Sequence, residues 1–230
     1  MGLSENQDFT ARMLAAFPAS NPAPDALARF FAWQQQQGLT RASQRDNGEY
    51  GLIVEGQQRA SLITVEPERD FMKYWTGNDD PALADRVVVF FRIGGDGSHV
   101  GLWVDDAGQQ HIVALGSGSG STLSGVMASD PVDFLRLLAI GYEELCWPDN
   151  YELTPEEIFA EEYLADADDP GFEQEDFPDP EPLALRAFLS ESFGASVPAT
   201  AAEIITRPIA EMDVDDSEDP FWRWVDTVRR

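Results

Sequence analysis

A chain of 230 residues that is 43% hydrophobic can bury one full core, and 42 Asp plus Glu against 15 Lys plus Arg leave a formal net charge of -27. That balance argues against direct binding to nucleic acid or to an anionic membrane surface and turns attention to basic partners. Cys146 is the single cysteine, so no internal disulfide and no multi-cysteine metal site can form. No stretch approaches the roughly 20 apolar residues of a membrane span, and no basic leader precedes an apolar core, so the expectation is a cytoplasmic protein.

Phe9, Met13, Leu14 and Phe17 recur at helical spacing ahead of Pro18, and Asp25 to Gln37 repeats the pattern with Leu27, Phe30 and Phe31 before a Gly38 stop. Two amphipathic helices therefore open the chain. Tyr50 to Val54 and Arg59 to Val65 read as strands joined at Glu55-Gly56. Glu66 to Ala84 is turn-rich and carries Phe71, Tyr74 and Trp75 ahead of Asn78, Asp79 and Asp80. It reads either as a loop folded over the edge of the core or as a recognition loop.

Val87 to Phe91, five apolar residues bounded by Arg86 and a glycine loop, has the composition of a strand buried on both faces in the middle of a sheet. His99 to Val104, the turn Asp105 to Gly108 and Gln109 to Leu115 then form a hairpin. Pairing residues whose numbers sum to about 213 puts His99 and His111 on opposite faces, and a slip of one residue would bring them to the same face. Beyond the Gly/Ser loop at 116–120, Asp130 as N-cap and Pro131 at the first helical position start a helix. Its Phe134, Leu135, Leu137, Leu138 and Ile140 must lie against the sheet.

From Glu143 to Glu181 acidic residues recur every two or three positions with no Lys or Arg between them. Thr154 to Glu157 spells a capped helix start, whereas Asp166 to Pro182 reads as an acidic linker or loop. Leu183 to Phe193 is helical up to Gly194, Thr200 and Glu203 form a second capping box, and Asp219-Pro220 opens an aromatic helix carrying Phe221, Trp224 and Val228.

The familiar catalytic patterns are missing. The Gly116 to Thr122 loop has no Walker lysine and not the dinucleotide glycine spacing, and no G-x-S-x-G occurs. Cys146 between Leu145 and Trp147 reads as a buried small hydrophobe, and the carboxylate clusters do not follow the EF-hand pattern. A pair of carboxylates acting as a hydrolase would need two close groups in one pocket, and nothing in the sequence nominates such a pair.

The run Val87-Val88-Val89-Phe90-Phe91-Arg92-Ile93-Gly94-Gly95-Asp96-Gly97-Ser98-His99-Val100-Gly101-Leu102-Trp103-Val104, followed by a hairpin, a Gly/Ser loop and a helix containing Asp133-Phe134-Leu135, resembles the SUKH superfamily. The chain departs from that family on its N-terminal side: Pro24 lacks a preceding Leu, and Asn47-Gly48 comes late. The resemblance implies an α+β fold with a central, mostly antiparallel sheet of about five strands flanked by helices. On this reading residues 1–230 are one SUKH-like domain with an acidic helical extension at about 143–230. It also implies no catalytic residues, no metal, no cofactor, and the role of an immunity protein that binds and neutralises a secreted toxin domain. The alternative is an intracellular adaptor that inhibits nothing.

An acidic surface suits a toxin with a basic cleft for nucleic acid or nucleotide, because charge speeds the encounter and a few water-excluding anchors hold the complex. The candidate partner-binding residues are Trp75, Asp79, Asp80, Glu161, Glu162, Tyr163, Asp166, Asp168, Asp169, Phe172, Glu173, Glu175 and Asp176. For each aromatic among them, ordinary core packing is the competing account.

Overall fold

A computed structural model describes residues 8–43, 48–57, 61–162, 180–206, 210–212 and 217–230. One sheet runs through the described residues: β1 (Thr40–Ala42), β2 (Glu49–Leu52), β3 (Ile63–Glu68), β4 (Val87–Arg92), β5 (His99–Val104), β6 (Gln110–Leu115), β7 (Leu123–Ala128) and β8 (Ala210–Glu211). Their spatial order is their chain order, and every neighbouring pair is antiparallel. The antiparallel α+β arrangement agrees with the sequence, but the count of about five strands is corrected to eight. The additions are β1, β7 and β8. Two of them are only two or three residues long, and β7, Leu-Ser-Gly-Val-Met-Ala, has one β-branched residue and a glycine, so it carries little strand signal.

Helices α1 (Phe9–Ala16), α2 (Asp25–Gln36), α5 (Pro131–Ile140), α6 (Pro155–Glu162) and α7 (Leu183–Phe193) contribute to the larger apolar cluster on one face of the sheet. Helices α3 (Met72–Thr76), α4 (Pro81–Ala84) and α8 (Pro220–Val228) cover the other face with a smaller cluster. The turn-rich segment 66–84 thus ends β3 at Glu68 and continues as two short helices closing the second face, with Met72 of α3 buried.

Strand β4 holds both layers. Val87 and Val89 face the second cluster, while Val88, Phe90 and Phe91 face the first. Two consecutive residues share a face because the register with β5 steps from Val89 opposite Gly101 to Phe91 opposite Val100, and Phe90 is the extra residue of the bulge. Phe134 of α5 then meets both rings edge-on, with centroids 5.8 Å from Phe90 and 5.4 Å from Phe91. Gly101 makes room opposite this strand, since a Cβ there would lie 2.8 Å from Val87 Cγ1.

In the β5–β6 hairpin His99 pairs with Leu115 and Trp103 with His111, so paired numbers sum one higher than expected and both histidines lie on the second face. The reading that placed them on opposite faces is corrected. The Asp105 carboxylate explains the step: it accepts from the Ala107 and Gln109 amides, and the turn closes at Gly108 with φ +78°. Four residues of strand, about 13 Å, still separate the two rings along the ladder, too far for a shared metal ion.

Asp219 ties α8 to the sheet edge. Its Oδ1 accepts from the amides of Phe221 and Trp222 as an N-cap, while Oδ2 accepts from Val126 N on β7, beyond the short pairing with β8. Asp219→Ala should cost about 2 kcal/mol in urea unfolding, as a lost cap and an unpaired edge amide add together. Asp219→Asn, which keeps one acceptor, should lose less; equal stability of the alanine variant and the parent would contradict this role.

Candidate functional site

Three segments meet at one end of strands β4 to β7: the β4–β5 loop at 93–98, the β6–β7 loop at 116–122, and the chain after α5 from Gly141 onward. Leu145 N donates to Ile93 O, Ser121 Oγ to Cys146 O at 2.6 Å, and Gly95 N to Glu144 Oε1 at 2.6 Å. Asp96 is the centre of this cap. Its carboxylate accepts from Ser98 N and Oγ, from Ser117 Oγ and from Ser121 N, all at 2.8 to 2.9 Å.

The glycines follow from that wrapping. A Cβ at Gly120 would lie 2.7 Å from Asp96 Oδ2, and one at Gly94 would lie 2.5 Å from both Asp96 Oδ1 and Cys146 Sγ. The Gly/Ser loop therefore does close around an anion, but the anion is the chain's own carboxylate. Its remaining amides are also engaged: Ser117 N donates to Ser98 Oγ, Gly118 N to Ser121 O and Gly120 N to Ser117 Oγ.

Cys146 lies fully buried under this cap, and burial, reinforced by the nearby charges of Asp96 and Glu144, pushes its thiol well above the usual range. A thiol held protonated in this way is not an activated nucleophile. His99 packs against Phe71 at 5.3 Å between ring centroids, and burial lowers its pKa, favouring the neutral ring. His111 Nε2 lies 3.0 Å from Asp105 Oδ2.

Outward from the cap, the surface turns acidic. Between Glu143 and Glu162 there is no Lys or Arg, while Asp149, Glu152, Glu156 and Glu161 are exposed. Thr154 caps α6 through a reciprocal box with Glu157, whose pKa is lowered by the Thr154 amide and hydroxyl. Trp147 stands in this surface at 38% exposure, and its indole N–H donates to Glu144 Oε2.

Among the described residues, the cations are engaged within the chain itself. Lys73 is the only lysine among the 15 basic residues, and it rests 4.8 Å from the ring centre of Tyr74. Arg186 donates to Ala139 O and Ile140 O at the C-terminal end of α5 and pairs with Glu181. Arg92 donates to Gly94 O and Gly95 O, Arg41 to Gly38 O and Thr40 O, and Arg223 to Ser217 O. Arg86 and Arg136 each join a backbone carbonyl to an aspartate. Arg12, Arg69 and Arg230 pair with Glu49, Asp85 and Asp79, while Arg29 and Arg229 lie over the rings of Phe193 and Trp222. Each described arginine has an intramolecular role, and its charge is held close to the chain.

The residues nominated from the sequence fall on two sides of the sheet. Trp75 is half-buried against the second cluster, Asp80 caps α4 by accepting from Ala82 N, and Asp79 lies exposed, 3.7 Å from Arg230. Glu161 and Glu162 end α6, which belongs to the first cluster through Ile158. Tyr163, Asp166, Asp168, Asp169, Phe172, Glu173, Glu175 and Asp176 lie outside the described residues, as does most of the expected linker. Sequence reasoning passed over Asp96, Trp147 and Tyr74, the last 72% exposed on α3. The Gly-Gly-Asp-Gly-Ser run was the available signal for Asp96, because a short acid among small residues binds nearby backbone amides. Comparison with protein-family models, curated proteins and solved structures finds no match to this chain.

Burial raises the pKa of Asp96, but the amides and hydroxyls that donate to it outweigh burial and hold it below the ordinary carboxylate value. The stability this provides is present above the unfolded-state pKa of about 3.9 and is lost as pH falls through the lower folded value. Asp96→Asn should lose about 2 kcal/mol at neutral pH and flatten the fall of stability across about pH 2 to 5 in urea titrations. An acid limb as steep as the parent's would contradict the assignment.

Proposed function

We propose that this chain is a SUKH-like immunity protein that works in the cytoplasm by binding rather than by turnover, holding the basic substrate cleft of a toxin domain closed with an acidic surface. The observation that carries this reading is the division of charge. The described arginines are tied to the chain's own carbonyls, carboxylates and rings, while the acids between Asp149 and Glu161 stand in solvent with no cation among them in the sequence. Such a surface accelerates encounter with a basic cleft, by 10 to 10³ as an order of magnitude, and competes there with nucleic acid or nucleotide. The SUKH resemblance supports the same reading from another direction, because the stretch that carries it supplies the central strands and the capped loop from which that acidic segment is hung.

The exposed Tyr74 and the hollow of about 350 Å³ between α3 and α4, on the opposite side of the sheet, favour the second reading, an adaptor that engages a further partner there. Co-expression with the enzyme domain encoded by the neighbouring open reading frame separates the two. Immunity predicts that cells killed by that domain alone survive when this chain is present, and that the two proteins co-purify. Death at an unchanged rate, or turnover of a metabolite by the purified chain, would overturn the proposal.

A further inference from the structure

We infer that Trp147 is the anchor of the acidic surface and that it receives an arginine side chain from a basic protein segment. This rests on the binding role proposed above and gives it a position. The indole is exposed in a stretch of sequence without cations, bonded to the Glu144 carboxylate and two residues from the exposed Asp149, and a guanidinium stacked on such a ring is favoured by the ring face and by the surrounding negative charge.

The ring is also pre-organised. Its N–H is held by Glu144 Oε2, while Glu144 Oε1 is held by Gly95 N, so one carboxylate fixes the indole to the β4–β5 loop. That loop is fixed in turn by Arg92, through Gly94 O and Gly95 O, and by Asp96. Little side-chain freedom remains to be lost on binding, as expected of an anchor aromatic. The occupant follows from charge. A neutral peptide would gain only the ring, an acidic one would be repelled, and a basic segment gains both ring and carboxylates. Tyr74 offers more exposed ring but already has Lys73 over it.

The test uses a fluorescent nona-arginine peptide as probe, with binding followed by anisotropy at low salt and the tryptophan indole N–H signals followed by NMR. Trp147→Ala should weaken binding about fivefold, Trp147→Phe should retain most of it because the ring face remains, and Tyr74→Ala should leave it within about twofold. The indole signal that disappears in Trp147→Phe should be among those that move on titration in the parent. An unmoved Trp147 signal, equal affinity of Trp147→Ala and the parent, equal losses in Trp147→Ala and Tyr74→Ala, or no peptide binding at low salt would each overturn the inference. Thermal midpoints of the variants identify any unfolding, and the parent's own signal then decides the question without a variant. No toxin is used, so failure here is distinguishable from failure of the immunity reading: a chain that binds arginine at Trp147 yet protects no cell would keep this site and lose that function.

Discussion

The extra residue at Phe90 is the constraint on which the remainder of the fold rests. Without it, strand β4 would alternate strictly and send Phe90 and Phe91 to opposite faces. With it, both rings enter the larger cluster and meet Phe134, while Val87 and Val89 stay free to carry the second layer under α8. An eight-stranded meander covered on both sides needs such a strand near its middle, and the residues 87–91 are apolar at every position for that reason. Phe134→Ala would remove the ring that both phenylalanines meet, and large-to-small changes of this kind cost about 3 to 5 kcal/mol.

The same central strands carry the acidic cap. The loops after β4 and β6 close around Asp96, and the segment after α5 is bonded to them through Leu145, Glu144 and Cys146. Hydrogen bonds thus lead from the loop of the central strands through Gly95 and Glu144 to the Trp147 indole. The net charge of -27 gains its significance from where the cations are. Arginine forks satisfy the final carbonyls of α5 and the carbonyls of loops, a use that suits a planar, permanently charged donor better than lysine. A few acids, Asp96, Asp105, Glu144 and Asp219 among them, are used internally, while Asp149, Glu152, Glu156 and Glu161 are left with their charge facing solvent.

Most helices were legible in the sequence because their ends are chemically marked. Asp130 and Asp219 with a following proline, the Thr154 and Thr200 boxes, and Gly194 each appear where expected, although the Thr200 box caps only a single 3₁₀ turn. Strands rich in Val, Phe and Trp were legible for similar reasons. The short edge strands and β7 were not, since pairing and burial rather than composition make them strands. The histidine faces depended on one residue of register set by how Asp105 closes its turn, which alternation alone does not fix. At the site, acidity was visible as composition. What the sequence did not reveal was that Trp75 turns inward while Tyr74 and Trp147 face solvent, because neighbouring aromatics on short helices and loops take their direction from packing.

In the proposed role, charge would bring the partner in and a fixed aromatic would hold it, so approach and retention should respond differently to salt. The most direct measurement is stopped-flow association of the purified chain with the toxin domain it is proposed to neutralise, across ionic strengths from about 0.02 to 0.5 M. The account predicts an association rate that falls by about tenfold or more over that range while the dissociation rate changes little. An association rate indifferent to salt would contradict it.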